Sequence, residues 1–192
     1  MVIAVTIAVF AVTVLLAFIA VWSVMVIASP DEIVVISGQR RRMADGTEVG
    51  YRVLRGGRAI RVPLLEQVHR MSLSPIPVSV SVNNLMLQGG KPAPVVLAVT
   101  VRVAPEMPLL RDAIERFLDR DPEQIAQVAT QTLEGVVRSV GARFTPDEVV
   151  LDRDRFGLHV QEEAEQELRR LGLEVESVRV QRFRVEASTY RG

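Results

Sequence analysis

In 192 residues, 23 basic and 23 acidic side chains cancel to zero net charge, which argues against a nucleic-acid-binding domain, where a basic excess on one face is expected. The basic set is 22 Arg and a single Lys, so its cation contacts can be planar and bidentate. Cys is absent, which fits a reducing compartment and equally many exported domains, and every charge follows residue 30, leaving residues 31–192 for one compact domain or two very small ones.

Residues 2–28, VIAVTIAVFAVTVLLAFIAVWSVMVIA, hold no charged side chain. A helix of this length reaches roughly 40 Å against a hydrocarbon core of about 30 Å, so it can span a membrane with tilt. A cleaved signal peptide would need a positive n-region, a shorter apolar core and a small-residue cleavage site, yet no Lys or Arg precedes Arg40. A buried core helix would need only about half this run. The many Val and Ile would suit a strand, but a lone strand in lipid leaves its backbone unpaired. Trp22, in the last third, is the candidate interfacial anchor. Arg40, Arg41 and Arg42 follow within the distance at which positive charge sets orientation, which places the N-terminus outside and the remainder on the cytoplasmic side of a plasma or inner membrane, in a single pass. As membrane-proximal basic residues they face lipid, acting as a topology signal rather than as a dedicated lipid site.

Ser29-Pro30 is expected to stop the helix. Residues 33–37 (IVVIS) form a short strand, 38–46 a loop with a turn at Asp45-Gly46, and 49–54 with 59–62 a hairpin turning at Gly56-Gly57. Residues 67–82 alternate as strands interrupted at Pro75 and Pro77, which cannot donate to a ladder. After a turn at 88–92, Val95, Leu97, Val99, Val101 and Val103 alternate strictly and mark the clearest strand, with one face buried.

The period then becomes helical over 107–119 and again from Ile125 to Val140, with Asp121-Pro122 as cap and first turn and Gly141 as stop. Thr145-Pro146-Asp147-Glu148 caps a short helix, Asp154 caps another carrying Phe156, Val160, Ala164 and Leu168, and Gly172 ends it. In the last strand, 173–185, the apolar residues change phase twice, which two bulges explain. Strands, then helices, then one strand predict an α+β domain with segregated layers.

The residues that could carry chemistry have simpler readings. His69 lies on a strand; His159 has Glu163 one turn later, but neither HExxH nor Cys is present to complete a metal set. Asp147, Glu148, Asp152 and Asp154 read mostly as helix caps with Arg153 and Arg155 interleaved. Gly56-Gly57 and Gly89-Gly90 lack the residues of a phosphate loop or dinucleotide fold, and Ser72 near His69 lacks a nucleophile elbow. No catalytic, cofactor-binding or metal-binding residue is assigned.

Gly56-Gly57-Arg58 followed by Val62-Pro63 and Val68-x-Arg70-Met71-Ser72-Leu73, then Thr132-Leu133-Glu134-Gly135, Thr145-Pro146-Asp147-Glu148-Val149 and Asp152-Arg153-x-x-Phe156, resemble a flotillin in order and spacing. Leu171-Gly172-Leu173-x-Val175-x-Ser177 enters the last strand as in that family. The resemblance is to the SPFH (stomatin, prohibitin, flotillin, HflK/C; Band 7) superfamily, closest to bacterial flotillin-like proteins. It implies a transmembrane helix over 1–30, an SPFH domain with a mixed or antiparallel sheet over 31–186, and a short tail over 187–192. It also implies a non-catalytic scaffold without cofactors, which contacts membrane lipids, forms homo-oligomers or hetero-oligomers with other SPFH proteins, and organises membrane microdomains or partner membrane proteins. An accessory subunit binding a membrane protease or channel is the alternative. Flotillins continue into a long Ala/Glu-rich coiled coil, whereas this sequence reaches Gly192 just after the last expected strand.

Overall fold

The computed structural model describes residues 2–42, 48–60, 65–89 and 92–183. They fall into two compact units, Met1–Ser72 and Leu73–Gly192.

The first unit opens with α1 (Val2–Val24), 23 residues without a charge. Ile3, Phe10, Leu16 and Ile19, on different sides of this helix, are all more than half exposed. Because several of its side chains lie outside the described residues, the described ones alone give no helix long and apolar enough to cross a membrane. The helix ends at Val24, before Ser29-Pro30, because β1 (Met25–Arg42) begins at once. From Met25 onward the backbone has a partner: Met25 pairs with Ile60, Val26 with Ala59, Ile27 with Arg58 and Ala28 with Gly57. For β-branched Val26 and Ile27 this pairing outweighs one more helical turn.

The expected hairpin over 49–62 is a single strand, β2 (Glu48–Ile60), both halves of which pair antiparallel with β1. Gly56 and Gly57 take φ of 68° and 89° inside it without reversing the chain. Opposite them residues 29–32 leave the ladder, since the register passes from Ala28–Gly57 to Ile33–Arg55. Pro30 has no N–H to donate, so an excursion there sacrifices little. The predicted loop after Ser37 is also corrected: Gly38 to Arg42 continue β1 past a second irregularity. Asp45-Gly46 and Val62-Pro63 lie outside the described residues. β3 (Gln67–Ser72) completes an antiparallel sheet of order β2-β1-β3. Residues 33–36 at its centre are buried on both faces, Val34 and Ile36 with Ala28 against Leu54, Ala59 and Val68.

The second unit has an antiparallel sheet of order β4-β5-β6, from β4 (Ile76–Met86), β5 (Pro92–Val103) and β6 (Leu173–Phe183). β5 is the central strand and buries Ala93, Val95, Leu97, Val99, Val101 and Val103 on one face, as its alternation predicts. Pro77 sits on the edge strand β4, where a missing donor is tolerated. The two phase changes of the last strand are two register shifts against β5, which leave Glu176 and Gln181 without partners in the ladder.

Between β5 and β6 come α2 (Leu109–Phe117), α3 (Pro122–Gly141), α4 (Pro146–Leu151) and α5 (Arg153–Arg169). α3 packs on β4 and on α5, and α5 packs on β6. Leu85, Leu97, Leu133, Phe156, Leu168 and Leu173 form the fully buried centre. Strands and helices occupy separate layers, the α+β arrangement expected.

Helix ends follow local chemistry with three adjustments. Asp121 stands in the cap position of α3 ahead of Pro122, but its side chain makes no capping hydrogen bond. α5 is capped by Asp152, whose carboxylate accepts the Arg155 N–H at 2.9 Å, while Asp154 falls in the first turn. Gly141 is the last residue of α3 rather than a residue beyond its end, and a Cβ there would lie 2.5 Å from Leu85 Cδ1, so it serves close packing. Gly172 does act as a stop, with φ 78°.

Candidate functional site

The two histidines occupy unrelated places. His69 on β3 has Nε2 3.3 Å from Ser37 Oγ on β1. His159 on α5 lies with Nδ1 3.5 Å from Glu162, and its ring meets the Phe144 ring edge-on at 5.4 Å. The expected neighbour Glu163 is engaged elsewhere: it accepts the Ser139 hydroxyl at 2.6 Å and pairs with Arg143. These contacts, the Ser139 hydrogen bond first, hold its carboxyl below the ordinary value of 4.5.

In the capping box of α4, Glu148 accepts the Thr145 N–H at 2.8 Å and the Thr145 hydroxyl at 2.9 Å, and donates its own N–H back to that hydroxyl. Its pKa is likewise lowered, first by the backbone bond and then by the hydroxyl. With Asp152 capping α5, the acidic cluster is used in helix starts. Among the described residues no group of three or more His, Cys, Asp or Glu could hold a metal ion. A groove of about 490 Å³ between α5 and β6 is lined by Arg153, Asp154, Gly157, Leu158, Gln161, Val178, Arg179 and Val180, an open amphipathic surface that carries two arginines and one aspartate.

The membrane-facing residues expected from the sequence belong to α1 and to the strand that follows it. Trp22 lies in the last turn of α1, and Arg40, Arg41 and Arg42 lie at the far end of β1; their side chains lie outside the described residues. Along a strand of ~3.3 Å per residue, Arg40 is roughly 50 Å of chain from the helix end, less what the bulge takes up. The described arginines that the register sets nearest that end are different ones. Arg58 pairs with Ile27 and Arg55 with Ile33, and both side chains are exposed. Sequence reading missed them because Gly56-Gly57 looked like a hairpin tip; the signal was the continued apolar pattern of Val53, Leu54, Ala59 and Ile60 on either side.

Ion pairs among the described residues brace this sheet. Arg70 on β3 reaches Glu32 in the bulge at 2.7 Å, and the same carboxylate accepts the Ser29 N–H at 3.1 Å. Arg52 on β2 meets buried Glu66 at 3.2 Å.

The sequence matches the SPFH domain / Band 7 family over residues 26–191. It is 27% identical over 161 residues to the flotillin-like protein FloT of Bacillus subtilis, covering 82% of this chain and 32% of that protein. It is 29% identical over 149 residues to flotillin-1 of Homo sapiens, covering 77% and 33% respectively. The chain thus spans about a third of the length of the curated relatives it matches. Because the match runs along β1 to β5, through α2–α5 and past β6, the chain belongs to the SPFH domain / Band 7 family.

Proposed function

We propose that the chain is a membrane-anchored, non-catalytic SPFH scaffold that self-associates at the membrane and organises membrane microdomains or partner membrane proteins. The observation that carries this reading is α1: 23 uncharged residues, exposed and apolar on several sides, running directly into the first strand of the family-matched region. A helix that is hydrophobic all round has no polar face to give to water and belongs in lipid or in a core. At ~1.5 Å per residue it is about 35 Å long, enough for a ~30 Å hydrocarbon layer.

In this reading residues 1–30 are the single-pass anchor, 31–186 the SPFH domain and 187–192 a tail. The N-terminus lies outside a plasma or inner membrane and the domain lies in the cytoplasm. Trp22 sits at the interface, and Arg40, Arg41 and Arg42 supply the positive-inside signal. The resemblance to the SPFH superfamily is what supports self-association in this reading.

The test is the mass of the full-length protein in nanodiscs, by native mass spectrometry. A discrete multi-copy assembly is expected. A strict monomer at every concentration would overturn the scaffold, and one stoichiometric co-purifying membrane protein would point instead to an accessory subunit.

A further inference from the structure

We propose that the free edge of β6 and the flank of α5 beside it take up, by strand addition, an extended segment of a partner protein that is apolar and acidic at alternate positions. The groove lies wholly within the second unit, so the inference goes beyond the scaffold reading and does not depend on α1 being an anchor.

Topology exposes the backbone. β6 ends the sheet of order β4-β5-β6, and among the described residues only β5 pairs with it. Such an edge turns a row of N–H and C=O groups away from its one neighbour, where another strand can pair. Bulges blunt an edge of this kind, and β6 has two, at Glu176 and Gln181. Between them residues 177–180 keep an unbroken register with 97–100, and it is along this short window that the groove of about 490 Å³ opens. α5 forms its wall. Asp154, Leu158 and Gln161 line the groove, whereas Glu163, half a turn out of phase with Asp154, is held by Ser139 and Arg143 on the α3 side. The groove flank is thus the one turned away from α3, over the unpaired edge. At Gly157 a Cβ would lie 3.8 Å from Val180 Cγ2, so helix and strand close the groove at its base.

The pleat then sets the occupant's pattern. Val178 and Val180 pair with the buried Val99 and Leu97 and so face the α5 layer, where Leu158 stands 60% exposed across the groove. Arg179 pairs with Ala98 and faces the other side of the sheet, as does Arg182 opposite Val96. A strand laid beside β6 would place alternate side chains against Leu158, Val178 and Val180, and the intervening ones ~5 Å from the Arg179 Cβ. Apolar residues fit the first set and carboxylates the second. Arg179 and Arg182 are exposed, and neither forms an ion pair among the described residues. The opposing charges are accounted for: Asp154 on the α5 rim is adjacent to Arg153, and Glu176 is held by Arg102 at 3.2 Å. This chain's own apolar–acidic run, Leu173-Glu174-Val175-Glu176, is already built into β6, with Glu174 on Arg102 at 3.0 Å as well. The occupant therefore comes from another protein.

The experiment titrates full-length protein in nanodiscs against a fluorescein-labelled peptide, Ser-Val-Glu-Val-Glu-Val-Ser, and reads fluorescence polarisation. Wild type is expected to bind it saturably. Arg179→Glu weakens binding about tenfold, and a peptide with Lys in place of Glu reverses that preference. Leu158→Asp, at an exposed position, weakens binding by a similar factor without touching the core. Peptides N-methylated along one edge or the other differ, because only one edge pairs with β6. All variants are checked by circular dichroism. No saturable binding to wild type, equal binding to the folded variants, or equal binding of the two methylated peptides overturns the assignment. Self-association of wild type that Leu158→Asp abolishes, with no peptide bound, would make the groove a contact between copies and overturn it too. None of these outcomes bears on the mass of the assembly, which tests the scaffold separately.

Discussion

On α5 the Glu163 carboxylate is held by two groups from the end of α3 and just beyond it, the Ser139 hydroxyl and the Arg143 guanidinium. A carboxylate whose folded pKa lies below its ordinary 4.5 contributes stability that is present above 4.5 and is lost as pH falls through the lowered folded value. Glu148 is shifted in the same direction by its capping box, so both act in one acidic window. The thermal midpoint should therefore drop as the medium is acidified below about pH 4.5, and Glu163→Gln should flatten that dependence while costing roughly 1 kcal/mol at neutral pH. A Glu163→Gln variant with an unchanged acid profile would show that the contact stores no stability. The spacing His159–Glu163 was legible in the sequence, but the pairing was not, because Arg143 and Ser139 reach the carboxylate from 20 and 24 residues away.

At the scale of elements, two glycines predict opposite outcomes. Gly172 leads the chain from α5 into β6 with φ 78°, and a Cβ there would sit 2.4 Å from the Ala113 N and 2.6 Å from the Leu109 O. Both obstacles are backbone atoms of α2, so Gly172→Ala should destabilise by roughly 3 kcal/mol or more in chemical denaturation. Gly135 lies exposed in the middle of α3, where a Cβ meets nothing within 4 Å, so Gly135→Ala should stabilise by up to about 1 kcal/mol through helix propensity. The strict alternation of β5 and the double phase change of β6 could be read directly, because each reports a strand's own buried face. The length of β1 could not. Its first residues lie in an apolar run that continues α1, and only pairing with 57–60 makes them strand.

For the whole molecule, the proposed anchor is tested by the free energy of placing α1 in lipid. Val14→Arg puts a charge near the middle of that helix, at a cost of about 3 kcal/mol, which corresponds to roughly a hundredfold loss of insertion. The carbonate-resistant fraction of the full-length protein should fall accordingly, and undiminished retention would sink the anchor. The region that follows belongs to the SPFH domain / Band 7 family and corresponds to about a third of each flotillin it resembles.

Hydrophobic period and local capping are properties of neighbouring residues, and they sufficed for the apolar first segment, the α+β class, β5, the bulges of β6 and the Thr145 capping box. The family resemblance rests on the same local motifs. What needed the tertiary structure was every feature set by pairing between distant residues: where α1 yields to β1, the union of two expected strands into β2, the partners of Glu163 and Glu32, and the place of each arginine along the sheet. A strand's register is fixed by its partner, so Arg58 comes to lie beside Ile27 through backbone hydrogen bonds that no stretch of sequence contains on its own.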